Sequence, residues 1–137
     1  MERQVVASRG DSTHGDALKG VRLLVVEDDA ILLMELEEVL EAAGAEIVGR
    51  CRTVKDALVT VERAGISAAV LDVRIGNETI APVARKLGRR GTPFVFYTGQ
   101  LGCDPALEEW HGCKVVAKPA QAQTIVSAVV DLLHGRH

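Results

Sequence analysis

Aromatic side chains are scarce in this chain of 137 residues: one Trp, one Tyr and two Phe. A core here has to be built from Val, Leu, Ile and Ala. Cysteine is scarce as well. Cys51, Cys103 and Cys113 show no CxxC pair and no metal-ligand spacing, and their odd number suits reduced thiols in a cytosol better than a disulfide framework. The histidines, His14, His111, His134 and His137, are scattered and read as solvated surface residues. No apolar run approaches the ~20 residues of a membrane span. Residues 1–20 carry Gly10, Gly15 and Gly20 among polar groups and lack an apolar segment, so they read as a flexible tail and not a signal peptide. Excess positive charge is absent too. The net charge of -3 argues against a nucleic-acid binder, which usually shows a basic field.

What is present is an alternation of short β-branched runs and amphipathic stretches, in a length that suits one domain. Val21 to Val26 reads as a strand buried on both faces. A helix follows, with Leu33, Leu36, Leu40 and Ala43 on one face, Asp28 or Asp29 as its cap and Gly44 as its stop. Ala45 to Cys51 is a second strand. Thr53 caps a second helix bearing Val54, Ala57, Leu58 and Val61, which Gly65 ends. Ile66 to Leu71 is a third strand, and Asp72 follows it. A loop with Gly76 and Asn77 leads to a helix near Thr79 to Leu87, with Pro82 in its first turn. Pro93 to Tyr97 is a fourth strand and Val115 to Ala117 lies in a fifth. Pro119 opens a last helix with Ile125, Val129 and Leu132 inward. Between Gly99 and Gly112 only Ala106 to Trp110 suits a helical turn. Alternating strands and helices predict a three-layer α/β sandwich: a five-stranded parallel sheet of order 2-1-3-4-5, flavodoxin-like, spanning residues 21–137.

Ligands on such sheets bind beyond the carboxyl ends of the strands. There the sequence places Glu27 and Asp28, Asp72, Thr98, and Lys118. Three carboxylates in one cleft repel one another and call for a cation or a proton. Oxygen ligands in a partly hydrated site suit Mg2+. A carboxylate can accept a phosphoryl group as an aspartyl phosphate, and a hydroxyl and an ammonium can hold its remaining oxygens. Each residue has a plainer reading alone: Glu27 and Asp28 as helix caps, Asp72 as a loop carboxylate, Thr98 as a turn residue, Lys118 as a solvated lysine. Jointly, each at the end of a strand, they require a set of coincidences.

The segments LLVVEDD (Leu23 to Asp29), AVLDVRI (Ala69 to Ile75), FVFYTG (Phe94 to Gly99) and VVAKPA (Val115 to Ala120) resemble the receiver domain of two-component response regulators over roughly residues 20–135. The resemblance implies Asp72 as phosphoacceptor, Asp28 as direct Mg2+ ligand and Glu27 acting largely through water. It also implies the backbone carbonyl of Arg74 as a ligand, Thr98 in contact with the phosphoryl group and Lys118 paired with it. Two departures stand out. Val115 occupies the place where many receivers carry an aromatic switch residue, and Gly76 stands where many have proline. These, with PFVFYTGQ (Pro93 to Gln100), are similar to the subfamily nicknamed "FAT GUY", although Tyr97 and Gln100 differ from its motif.

The resemblance implies a single-domain, cytoplasmic regulator without an output domain. Its phosphoryl donor would be a sensor histidine kinase, of HWE or related type, or a phosphotransfer protein, and its downstream partner a protein. It would not be an enzyme beyond forming and losing its own aspartyl phosphate. Nucleic acid and membrane are not expected partners, and the state expected is a monomer or a weak homodimer through a helix face near Val126 and Val130. Gly99 is expected to permit a turn at the site, and Leu101 to Gly112 to order on phosphorylation. The alternatives are a phosphorylation-independent adaptor of the same fold and a magnesium-dependent hydrolase or phosphotransferase acting on a small substrate. Against the hydrolase, Asp72-Val73-Arg74 lacks a DxD pair and no insertion is long enough for a cap.

Overall fold

The apolar runs become the strands of one parallel sheet. The computed structural model describes residues 16–99, 105–110 and 112–135. In chain order its elements are β1 (Arg22–Val26), α1 (Ala30–Ala42), β2 (Glu46–Cys51), α2 (Val54–Arg63), β3 (Ala68–Leu71), β4 (Arg74–Ile75), β5 (Glu78–Thr79), α3 (Ala81–Arg89), β6 (Phe94–Thr98), a 3-10 helix (Pro105–Trp110), β7 (Val115–Ala117) and α4 (Ala122–Leu133). The sheet runs β2-β1-β3-β6-β7, and β4 and β5 form a separate two-stranded hairpin. Without the hairpin strands the order is 2-1-3-4-5, as expected from the sequence, and all sheet pairings are parallel.

Local chemistry explains the helix ends. Asp29 caps α1, its Oδ1 accepting from the amides of Ile31 and Leu32 at 2.9 and 3.1 Å. Gly44, with φ of 101°, supplies the left-handed residue after that helix. Thr53 Oγ1 caps α2 by accepting from Asp56 N at 3.1 Å. In α3, Pro82 occupies the first turn and Lys86 and Arg89 the last, where cations complement the helix dipole.

Helices cover both faces. α1 and α4 pack Leu33, Leu36, Leu40, Ile125, Val129 and Leu132 onto Leu23, Val25, Val70 and Val95. On the other side, α2 and α3 pack Val54, Ala57, Val61, Val83 and Leu87 onto Leu24, Val26, Leu71 and Phe96. β3 is buried at every residue, as a central strand covered on both faces should be. Each fully buried Leu or Val here is stabilised by about 2 kcal/mol relative to exposure.

The structure corrects several expectations. Leu18 is fully buried, and its amide donates to Ala43 O at 2.8 Å. Residues 16–20 therefore belong to the folded body and not to the tail; residues 1–15 lie outside the described region. The stretch after Asp72 is a hairpin and not a plain loop. The last helix starts at Ala122, not Pro119, because Gln121 is still extended (φ -70°, ψ 154°). The chain does bend at Gly99, although without a left-handed φ. Val126 is buried and Val130 packs partly buried against the same core, so they present no free dimer face. Of the segment Leu101 to Gly112, residues 101–104 and 111 lie outside the described residues, while Pro105–Trp110 forms the 3-10 turn.

Candidate functional site

Sheet register decides what meets at the carboxyl edge. β1 and β3 pair Val26 with Leu71, so the next residues, Glu27 and Asp72, emerge side by side. β3 and β6 pair Leu71 with Phe96, and β6 and β7 pair Thr98 with Ala117, which brings Thr98 and Lys118 to the same edge. The amide of Asp72 donates to Val26 O and that of Lys118 to Thr98 O, each at 3.0 Å. Thr98 is buried as the last residue of β6. Arg74 lies in β4, two residues beyond Asp72, with its side chain exposed.

The acidic triplet divides its work. Asp29 is the helix cap, so the plainer reading of Glu27 and Asp28 as caps is removed. Glu27 turns into the cleft, buried to 1% exposure, and its Oε2 accepts from Asp29 N at 3.0 Å. Asp28 Oδ2 accepts from the amide of Gly76 at 2.8 Å. Gly76 has φ of +63°, a conformation that favours glycine, and it forms the hairpin turn with Asn77. The turn thus aims a backbone donor at Asp28.

Lys118 reaches between the carboxylates. Its Nζ donates to Asp72 Oδ2 at 2.8 Å and lies 2.7 Å from Glu27 Oε1. The second contact is a close ion pair to a carboxylate buried to 1% exposure. Burial pushes the Glu27 carboxyl above its ordinary range, against the pull of Lys118, and the charge of Asp72 adds to the rise. Burial also works against the Lys118 ammonium, but its bonds to Asp72 and Glu27 outweigh this and hold it above the usual lysine value.

Carboxylate oxygens of Glu27, Asp28 and Asp72 all lie within 4.8 Å of one another. Three carboxylates against one ammonium leave a surplus of two negative charges when all are ionised. A surplus of hard carboxylate oxygens gathered at one point fits a small divalent cation of the Mg2+ type. Among the described residues, burial pushes the thiols of Cys51 and Cys113 up, away from the reactive thiolate.

No protein-family model matches the chain. Over 90 residues it is 30% identical to the transcriptional regulatory protein PdtaR of Mycobacterium tuberculosis; the match covers 65% of this chain and 44% of that protein. The chain thus spans less than half the length of this curated relative. Among solved structures, SdrG of Sphingomonas melonis superposes with a TM-score of 0.73 at 39% identity, covering 86% of this chain and 98% of that one. A response regulator receiver protein of Sinorhizobium medicae superposes with a TM-score of 0.76 at 26% identity, covering 88% and 99%. The chain belongs to the response regulator receiver domains. In this receiver domain, every site residue expected from the sequence comes from the one sheet edge or from the hairpin beside it.

Two contributors were missed. Arg52 follows β2, and its Nε and Nη2 both donate to the carbonyl of Asp28, at 3.1 and 3.0 Å. It steadies the acidic loop and brings positive charge to the rim. Nothing in the spacing of Arg52 marks it. The Gly76 amide was findable, because Gly-Asn between Arg74-Ile75 and Glu78-Thr79 is a two-residue hairpin signature.

Proposed function

We propose that this receiver domain accepts a phosphoryl group on Asp72 from a phosphohistidine of a sensor histidine kinase or phosphotransfer protein. The observation that carries the reading is Asp72 held by Lys118 at 2.8 Å inside a cluster of three carboxylates. Lys118 engages Oδ2, which leaves attack on phosphorus to Oδ1. The P–N bond to the donor histidine breaks, its electron pair goes to the imidazole, and an acyl phosphate forms on Asp72. Lys118 then pairs with a phosphoryl oxygen, and the Thr98 hydroxyl, buried at the edge, would contact another. Glu27, Asp28, Asp72 and the Arg74 carbonyl would hold Mg2+, which when bound neutralises charge on the transferring oxygens.

The domain acts on no separate substrate. Its chemistry is the gain and loss of its own phosphoryl group, in the cytoplasm, with a surface change or a phosphate sink as the outcome. The likeness of PFVFYTGQ to the "FAT GUY" motif supports a single-domain regulator and a kinase of HWE type. The test is intact-mass spectrometry after incubation with Mg2+ and a small phosphoryl donor or a kinase panel. One phosphoryl adduct on the parent, absent from Asp72→Asn and from a Mg2+-free sample, is the expected result. No adduct from any donor would overturn the reading in favour of a phosphorylation-independent adaptor.

A further inference from the structure

Lys118 needs a fixed place to serve two carboxylates, and its own strand gives it little. β7 has three residues, none of them buried, whereas all of β6 is buried. The next residue, Pro119, has no amide hydrogen to donate. Two hydrogen bonds from β6 bracket that proline. On one side Lys118 N donates to Thr98 O at 3.0 Å. On the other, Ala120 N donates to the phenol oxygen of Tyr97 at 3.3 Å.

Strand alternation sends Tyr97 to the opposite face from Phe96 and Thr98. It is buried in the core beneath α1 and α4, where it is the only aromatic residue; Phe94, Phe96 and Trp110 all lie on the other side. The Lys118 Nζ stands 5.6 Å from the centroid of the Tyr97 ring, within the range of a cation–π contact. The ammonium thus has carboxylates ahead of it and an aromatic ring behind it. The partly buried Ala120 and Val116 pack against the same core as Tyr97. Val115 packs with the opposite core and cannot reach this place.

We propose that Tyr97 is a positioning residue for Lys118. Its hydroxyl anchors the Lys118–Ala120 segment, its ring backs the ammonium, and together they set the rate at which Asp72 takes a phosphoryl group. The inference rests on the phosphoacceptor reading above.

The experiment is a double-mutant cycle on the rate of adduct formation with Mg2+ and acetyl phosphate. Tyr97→Phe keeps the ring and removes one hydrogen bond; it slows the reaction about fivefold. In a Lys118→Ala background the same substitution changes the rate by less than about twofold, because its effect passes through the lysine. Equal slowing in both backgrounds, or none in the parent, overturns the proposal. A parent that takes no phosphoryl group from acetyl phosphate or from any kinase of the panel defeats the phosphoacceptor reading instead, and placement is then read directly. The Lys118 methylene proton signals, identified by their loss in Lys118→Ala, carry the ring current of Tyr97. A shift in Tyr97→Phe, which keeps the ring and drops only the hydroxyl, shows that the lysine has moved and supports the positioning role; unmoved signals refute it.

Discussion

Replacing Lys118 by methionine asks how the cleft stays folded with its carboxylates buried. Methionine retains much of the stem and drops the charge. The ammonium lies 2.7 Å from Glu27 and 2.8 Å from Asp72, and the three side chains are 17%, 1% and 10% exposed. Removing one partner of a buried pair costs about 3–5 kcal/mol, and the open rim of this cleft puts the loss at the lower end, about 3 kcal/mol. With a urea dependence of about 2 kcal/mol per M, the unfolding midpoint in EDTA at pH 8 drops by about 1.5 M. The loss depends on pH. Burial raises Glu27 above its ordinary 4.5, so the folded chain keeps a proton the unfolded chain has released. Stability conferred by that proton is present below 4.5 and fades as pH rises through the folded value. Without the ammonium the folded value climbs further, and the deficit of the variant shrinks as pH falls from about 8 towards 5. The Lys118 contribution in the parent is constant over this window, since it is lost only above 10.5. Mg2+ restores more stability to the variant than to the parent, because it meets two carboxylates freed of their partner. Equal midpoints at pH 8, or a deficit that does not change on acidification, would refute the reasoning.

Three further substitutions separate the acids by role. Asp28→Asn lowers Mg2+ affinity about tenfold or more by calorimetry, without loss of stability in EDTA, because one of three repelling charges is gone and an amide oxygen still accepts from Gly76. Asp29→Ala does the reverse: it removes the cap on Ile31 and Leu32, costs about 1 kcal/mol in urea unfolding and leaves Mg2+ affinity unchanged. Glu109→Gln breaks a bidentate contact with Arg85 and still leaves the urea midpoint where it was, because both side chains are about half exposed and water screens the pair.

The sheet was readable because β1, β3 and β6 are near-continuous apolar runs ending at a polar group. The candidate site was readable for the same reason, since Glu27, Asp72 and Thr98 are those polar groups. Single residues were not. Leu18 is the one large apolar residue between Asp11 and Gly20, so no periodicity marks it, yet it is fully buried and its amide bonds to Ala43 O. Whether Asp28 or Asp29 caps α1 depends on one backbone torsion that spacing does not specify. Arg52 acts through its guanidinium on a carbonyl, a partnership that leaves no trace in the sequence pattern. Tyr97 read as a departure from a motif, and its reach to Ala120 appears only once β6 and β7 are side by side.

The short outer strand β7 has a consequence for how charge and shape communicate. The lysine that neutralises the cleft hangs from the rim of the sheet, gripped on one flank only, by β6. One ammonium therefore serves two masters: it satisfies buried carboxylates, and it ties down the free margin of the protein. Any ligand that satisfies Glu27 and Asp72 in its place loosens that margin. By reciprocity, anything that grips the margin from outside holds the ammonium in the cleft and makes the carboxylates harder to engage.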